Sequence, residues 1–340
     1  MKASNLWIGW IGLFGVTVLG AGLMFAQAPV PPPAPAASSQ EQAQPPAPDA
    51  PPDSLEQKYR LAVDVQLVNV NATVLDEDGK YMDNLKPEDF QLFEDSKEQK
   101  VAFFAHDRKV PISVGVLVDT SGSMRHKLQQ ALQTVREVSL ALSPQDEMFL
   151  LTFDDGVEMR QKFTSNQQDV QRALRGIRSG GETAVYDAIK VALKEMDSAR
   201  NHKKVLMLVS DGFDTKSKTT ATQAQELLKR SETILYAIGI DDDDNDPVAQ
   251  RDTRYHIYYY MLGQLSAIGG GQTFKMFTGR NYALDGLAQI ILEELHQQYT
   301  LSYYPTGEGN GSWRKLEVKV KKTGAQIRTR MGYYVGQTGN

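Results

Sequence analysis

Four short runs of near-continuous apolar residues constrain the fold of this chain most: Ile112–Val118, Met148–Phe153, Val205–Val209 and Ile234–Ile240. Strands of a parallel sheet covered by helices on both faces read this way, because neither face meets water. Helical patterns lie between and after the runs. Leu128, Ala131, Leu132, Val135 and Leu142 fall on one helical face. Ser165 and Gln168 have capping-box spacing ahead of Val170, Ala173, Leu174 and Ile177. Val185, Ile189, Ala192, Leu193 and Met196 follow Gly180-Gly181, and Leu284, Leu287, Ile290, Ile291 and Leu295 mark a last helix, about Asn281–Gln298. Repeated strand–helix alternation over 111–297 predicts a doubly wound, mostly parallel α/β sheet.

The flanks read as β structure. Val63, Val65 and Leu67 alternate with polar residues, and then Val68, Val70, Ala72 and Val74 take over in the opposite phase, the mark of a β-bulge. Asp78-Gly79 is a hairpin-type turn, and Phe90–Phe93 and Val101–Ala105 supply two more strands. A β module of 59–110 is thin for independent folding. Residues 298–340 offer its complement: Tyr299, Leu301 and Tyr303, then Leu316, Val318 and Val320, then Ile327, Thr329 and Met331 all alternate with polar neighbours. The expected layout is one small β-sandwich built from both ends of the chain, with 111–297 inserted into it. Two independent small sheets are the alternative.

Ahead of these segments the chain is different in kind. Lys2 precedes the uncharged apolar stretch Leu6–Phe25, and Ala26-Gln27-Ala28 has the small-x-small form of a signal-peptidase site. Pro29 disfavours cleavage there, and twenty apolar residues reach about 30 Å as a helix, enough to span a bilayer. Residues 1–28 therefore read as a signal peptide or a membrane anchor. Residues 29–58 follow as a Pro-rich linker, with ten of the fifteen prolines within 29–53, an extended spacer rather than a folded segment. The expected location is exported: periplasm, cell envelope or secreted, with the membrane touched only by the N-terminal segment.

Two carboxylates and three hydroxyls stand where such a sheet binds ligands. Asp119-Thr120-Ser121-Gly122-Ser123 ends the first apolar run, Asp211 ends the third, and Thr183 lies in the Gly-rich loop between. Ligands of open α/β sheets sit at the carboxyl ends of the strands. Asp119, Ser121, Ser123, Thr183 and Asp211 make an all-oxygen set without His or Cys. It suits a hard cation, Mg²⁺ first, with Mn²⁺ and Ca²⁺ as alternatives, rather than Zn²⁺. Taken singly, each of these residues also suits a helix cap or a turn.

Asp119-x-Ser121-x-Ser123 after a buried strand, Thr183 in a Gly-rich loop, and Ser210-Asp211-Gly212 after another strand resemble the von Willebrand factor A (VWA) domain and its metal-ion-dependent adhesion site. The resemblance covers about 111–297. Val65–Val74, Leu85–Phe90 and Arg330-Met331-Gly332-Tyr333-Tyr334 are similar to a group of exported bacterial VWA-related proteins. The resemblance implies that the three hydroxyls and two carboxylates hold one cation, and that an acidic side chain of a partner protein completes its shell. It also implies that Thr183 ligates in the ligand-engaged state. In that family engagement can be coupled to a shift of the final helix, which here runs into the 299–303 strand without a loop.

Other readings are weaker. A net charge of −5 gives no basic footprint for nucleic acid. Without cysteine there is no disulfide, thiol catalysis or zinc–thiolate site. The five histidines show no metal-ligand pairing, and no nucleophile elbow or phosphate loop occurs. Asp241, Asp243 and Asn245 have EF-hand-like spacing but lack the Gly and Glu that follow in such loops. Asp154 and Asp155 are expected outside the coordinating set. The expected function is a non-enzymatic, metal-dependent protein-binding module. A structural envelope component with a fold-stabilising metal is the alternative, and a metal-dependent hydrolase the lesser one. Partner identity and oligomeric state are open.

Overall fold

The computed structural model describes residues 67–106, 110–241, 253–277, 286–306 and 311–336. The N-terminal apolar stretch, the Pro-rich linker, Val63, Val65, Leu284 and most of the acidic run after Asp241 lie outside these residues. Among the described residues no helix is long and apolar enough to cross a membrane.

The central sheet has six strands: β5 (Ile112–Asp119), β6 (Glu147–Phe153), β7 (Val157–Thr164), β8 (Lys203–Ser210), β9 (Ile234–Asp241) and β10 (Thr273–Phe277). Their order is β10-β9-β8-β5-β6-β7, parallel except for β7, which runs antiparallel to β6. The doubly wound sheet is thus present. Helices α1 (Leu128–Ala141), α2 (Gln167–Ala173) and α6 (Leu287–His296) cover one face. Helices α3 (Val185–Met196), α4 (Ala221–Arg230) and α5 (Thr253–Ile268) cover the other. On β5, Val114, Val116 and Val118 point to the first layer and Leu117 to the second. Gly115 lies on the second side, where a Cβ would meet the Phe149 ring at 2.2 Å. The helix start after Asn166 differs from the capping expectation. Asn166, not Ser165, caps α2, accepting the Gln168 N–H at 3.0 Å.

The flanking β structure forms two four-stranded sheets. One is β13-β1-β11-β4 and the other β14-β12-β2-β3, from β1 (Val68–Leu75), β2 (Phe90–Glu94), β3 (Lys97–Gln99), β4 (Phe103–Ala105), β11 (Tyr299–Tyr303), β12 (Trp313–Val320), β13 (Gln326–Thr329) and β14 (Gly332–Tyr334). Strand β1 lies between β11 and β13, both antiparallel to it, and β2 pairs with β12. The two ends of the chain are therefore interleaved around one core that includes Val70, Leu92, Tyr299, Leu301, Tyr303 and Leu316. Inside it the buried Glu94 accepts hydrogen bonds from Tyr303 at 2.5 Å and Tyr333 at 2.7 Å. Asp95 and Ser96, both at positive φ (47° and 67°), make the tight turn into β3.

This pairing sets an expected result. Deleting 298–340 takes both neighbours from β1 and the long partner from β2. Limited proteolysis should then cut rapidly within 67–106 while the six-stranded region resists. A truncated chain that keeps 67–106 protected contradicts the interleaved sandwich.

A candidate metal centre at the switch point of the sheet

Strands β5 and β8 are neighbours, yet the chain leaves them in opposite directions. From β5 it passes through α1 to β6 on one side, and from β8 through α4 to β9 on the other, with the two helices on opposite faces. That divergence opens a crevice beyond the strand ends. Asp119 is the last residue of β5, and Asp211 directly follows β8.

The five expected residues meet there. The Asp119 carboxylate is fully buried. Its Oδ1 accepts the Ser121 N–H at 2.8 Å, and its Oδ2 accepts the Ser210 hydroxyl at 2.5 Å. The latter contact follows from register. Val118 pairs with Val209, so Asp119 and Ser210 come side by side at the strand ends. Ser121 Oγ lies 3.1 Å from Ser123 Oγ, and Ser123 donates to Asp211 Oδ1 at 2.7 Å. Thr183 lies across Gly212 from Ser123: a Cβ on Gly212 would sit 3.9 Å from Ser123 Oγ and 4.0 Å from Thr183 Oγ1. Ser123 is exposed while Asp119, Ser121 and Thr183 are buried, so the cluster opens to solvent on the Ser123 side.

Backbone bonds lock the three loops together. Gly180 N–H donates to Thr120 O at 2.8 Å and Gly122 N–H to Gly181 O at 3.0 Å. Thr183 donates its N–H to Thr215 Oγ1, and its carbonyl accepts the N–H groups of Thr215 and Lys216. Asp155 has a supporting place: its Oδ1 accepts the Glu182 N–H at 2.9 Å. Gly181, at φ +77°, would bring a Cβ within 2.8 Å of that carboxylate, so glycine is needed there twice over. Asp154 instead turns its own loop by accepting the Gly156 N–H.

Two side chains at the site were not anticipated from sequence. Lys127 Nζ lies 2.9 Å from Asp211 Oδ2, with the lysine side chain 9% and the aspartate side chain 1% exposed. Tyr258, on α5, has a buried hydroxyl beside Ser210. Burial, and then the charges of Asp119 and Asp211, push its ionisation well above the usual phenol range. Burial likewise pushes the Asp119 carboxyl up to about 6, against lowering by the Ser210 and Ser121 hydrogen bonds.

The donor set fits a hard divalent cation. It offers the hydroxyls of Ser121 and Ser123 and two carboxylates in one hydrogen-bonded cluster, with the Thr183 hydroxyl near by across Gly212. Among the described residues no group of three or more His, Cys, Asp or Glu is gathered for a metal. A cation here would depend on the hydroxyls.

Residues 114–213 match the family model of the von Willebrand factor type A domain. This stretch, which holds all five residues of the cluster, is similar to a von Willebrand factor type A domain. Solved structures similar to part of this chain include the conserved hypothetical protein BatB from Bacteroides thetaiotaomicron, at 16% identity over 54% of this chain and 98% of that one, TM-score 0.44. Another is the vWF domain of the type V pili tip protein Mfa5 from Porphyromonas gingivalis, at 13% identity over 54% of this chain and 95% of that one, TM-score 0.41. A third is proximal thread matrix protein 1 of the mussel byssus, with a zinc-occupied MIDAS motif, at 16% identity over 60% of this chain and 50% of that one, TM-score 0.44. No curated protein sequence matches this chain.

Proposed function

We propose that this VWA domain is a non-enzymatic, exported binding module that recognises an acidic residue of a protein partner through a bridging divalent cation, Mg²⁺ in the first instance. One observation carries the reading: Asp119, Ser121, Ser123, Thr183 and Asp211, from three separate loops, meet as an all-oxygen cluster that opens to solvent at the switch point. Mg²⁺ keeps several waters and takes few protein carboxylates. With two of them it retains positive character, and a third carboxylate can replace a water on the open side. The Ser121 and Ser123 hydroxyls lie in hydrogen-bond contact and Ser123 donates to Asp211, which supports a role as ligands. Export is part of the same proposal and is supported by the apolar stretch Leu6–Phe25 and the Pro-rich linker behind it.

Capture of envelope proteins on the immobilised full-length protein, in Mg²⁺ and in chelator, tests this reading. Partners should be retained in Mg²⁺ and released by chelator, and Asp or Glu substitution in the partner should abolish retention. Retention indifferent to chelator, with a melting temperature that falls when metal is removed, favours a fold-stabilising metal instead. Hydrolysis that depends on Mg²⁺ would overturn the non-enzymatic part.

The proposal carries a pH dependence. A cation must displace the proton of Asp119 wherever that carboxyl is protonated, below about pH 6. Mn²⁺ affinity should be flat above that pH and fall by about tenfold per unit below it. Calorimetry between pH 5 and pH 8 measures the profile.

A further inference from the structure

We propose that Lys127 is a built-in counter-cation that weakens the bare site's hold on a divalent ion and strengthens the loaded site's pull on an acidic partner group. The inference rests on the cation-binding reading above and assigns a determinant of its affinity. The residue lies outside the five-residue set, directly after the 3₁₀ turn Gly122–His126 and one residue ahead of α1. The turn that carries Ser123 thus also returns the lysine to Asp211.

The geometry makes the ammonium part of the site. Asp211 uses both oxygens: Oδ1 for the Ser123 hydroxyl at 2.7 Å and Oδ2 for Lys127 Nζ at 2.9 Å. Lysine is almost never buried unless paired, because removing its charge from water is costly. Here the buried pair sits where a cation would need Asp211. Packing explains the stem but not the charge. Leu128, Ala131 and Leu132, which follow on α1, are apolar and buried, so an uncharged residue of similar length would fill the same space.

The electrostatic consequence has a definite sign. Asp119 and Asp211 together contribute a formal charge of about −2, and Lys127 returns the group to about −1. A divalent ion then leaves roughly +1 where a lysine-free site would be near neutral. Affinity for the ion alone falls, since the ammonium repels it and competes for Asp211. Attraction for a third carboxylate rises, since the loaded site keeps a positive charge. The site is thereby tuned to fill tightly only when an acidic partner arrives, a positive linkage between cation and partner.

The test uses the metal-stripped full-length protein, Mn²⁺ as the cation and acetate as the carboxylate probe. Lys127→Met and Lys127→Gln should each bind Mn²⁺ more tightly than wild type, on the order of tenfold by calorimetry. Lys127→Arg, which keeps the charge, should stay near wild type. With Mn²⁺ bound, acetate should displace manganese-bound water less readily in the neutral variants, read as a smaller drop in water-proton relaxation. Neutral variants that keep the fold and bind Mn²⁺ no more tightly than wild type overturn the proposal while leaving the cation site intact. Unfolding of both neutral variants makes the lysine a structural clamp and also overturns it. No Mn²⁺ binding by any of the four proteins overturns the cation reading itself, and this proposal with it.

Discussion

Asp119→Asn should abolish divalent-cation binding and, at neutral pH, raise the stability of the metal-free protein. The first effect follows from losing one of two carboxylates. Mn²⁺ affinity should drop by about a hundredfold or more, since a buried carboxylate facing a divalent ion is worth several kcal/mol. The second follows from burial. Asp119 is fully buried and its carboxyl is raised from 3.8 to about 6. A raised acid costs stability wherever it must ionise in the folded state. At pH 7 that cost is on the order of 1–3 kcal/mol, and the amide does not incur it. The sign predicts the pH window. The advantage of the variant should be complete above about pH 6, shrink as pH falls, and vanish only below about 3.8, where the wild-type carboxyl is protonated both folded and unfolded. Chemical denaturation of both proteins at pH 4.5 and pH 7.5, with chelator present, measures the difference. Equal stability at both pH values would show that Asp119 is not strained. A site kept ready for a metal at the expense of the metal-free fold is a common trade.

Glu294→Ala should cost about 3–5 kcal/mol of folding free energy, the usual penalty for breaking a buried ion pair from one side. Glu294, on α6, is fully buried. It meets Arg328 of β13 at 2.8 Å, accepts the Tyr236 hydroxyl of β9 at 2.9 Å and the Gln272 amide at 3.1 Å, and lies 3.3 Å from Thr73 Oγ1 of β1. One carboxylate thus ties the last helix of the α/β region to two strands of the sandwich. Alanine leaves the largely buried Arg328 without its anion and three polar groups without an acceptor. Glu294→Gln keeps most of the hydrogen bonds and should cost less. Urea midpoints for the three proteins decide it. A loss below about 1 kcal/mol for alanine would mean that water replaces the carboxylate and that the tie is weak.

The same carboxylate shows where sequence reading stops. Parallel strands β5, β6, β8 and β9 are legible because burial on both faces leaves an unbroken apolar run, and most of the candidate site is legible because Asp119, Ser121, Ser123 and Asp211 stand at or just beyond the ends of two of those runs. Strand β7, Val-Glu-Met-Arg-Gln-Lys-Phe-Thr, is an edge strand with half-exposed faces, so no run marks it. Helix α5 carries apolar and tyrosine residues on every side, so it has no polar face to set a period. Helix α4 carries a legible start signal in Thr220 and Gln223, which form a true capping box. Strand β3 is three polar residues, paired with β2 across the Asp95-Ser96 turn, so no apolar alternation marks it. Lys127 and Glu294 are invisible for another reason. Each sits among residues expected for a helix, and only the folded chain reveals that the lysine turns back to Asp211 and that the glutamate faces inward.

We propose that the five oxygen-bearing residues from three loops form one divalent-cation site. The most direct test is titration of Mn²⁺ into the metal-stripped full-length wild-type protein, with free Mn²⁺ followed by electron paramagnetic resonance. Saturable uptake of one Mn²⁺ per chain is expected, reversed by excess Mg²⁺ and abolished by Asp119→Asn. A free-Mn²⁺ signal that rises without delay from the first addition, identical to buffer alone, would contradict it and leave the five residues as caps and turns.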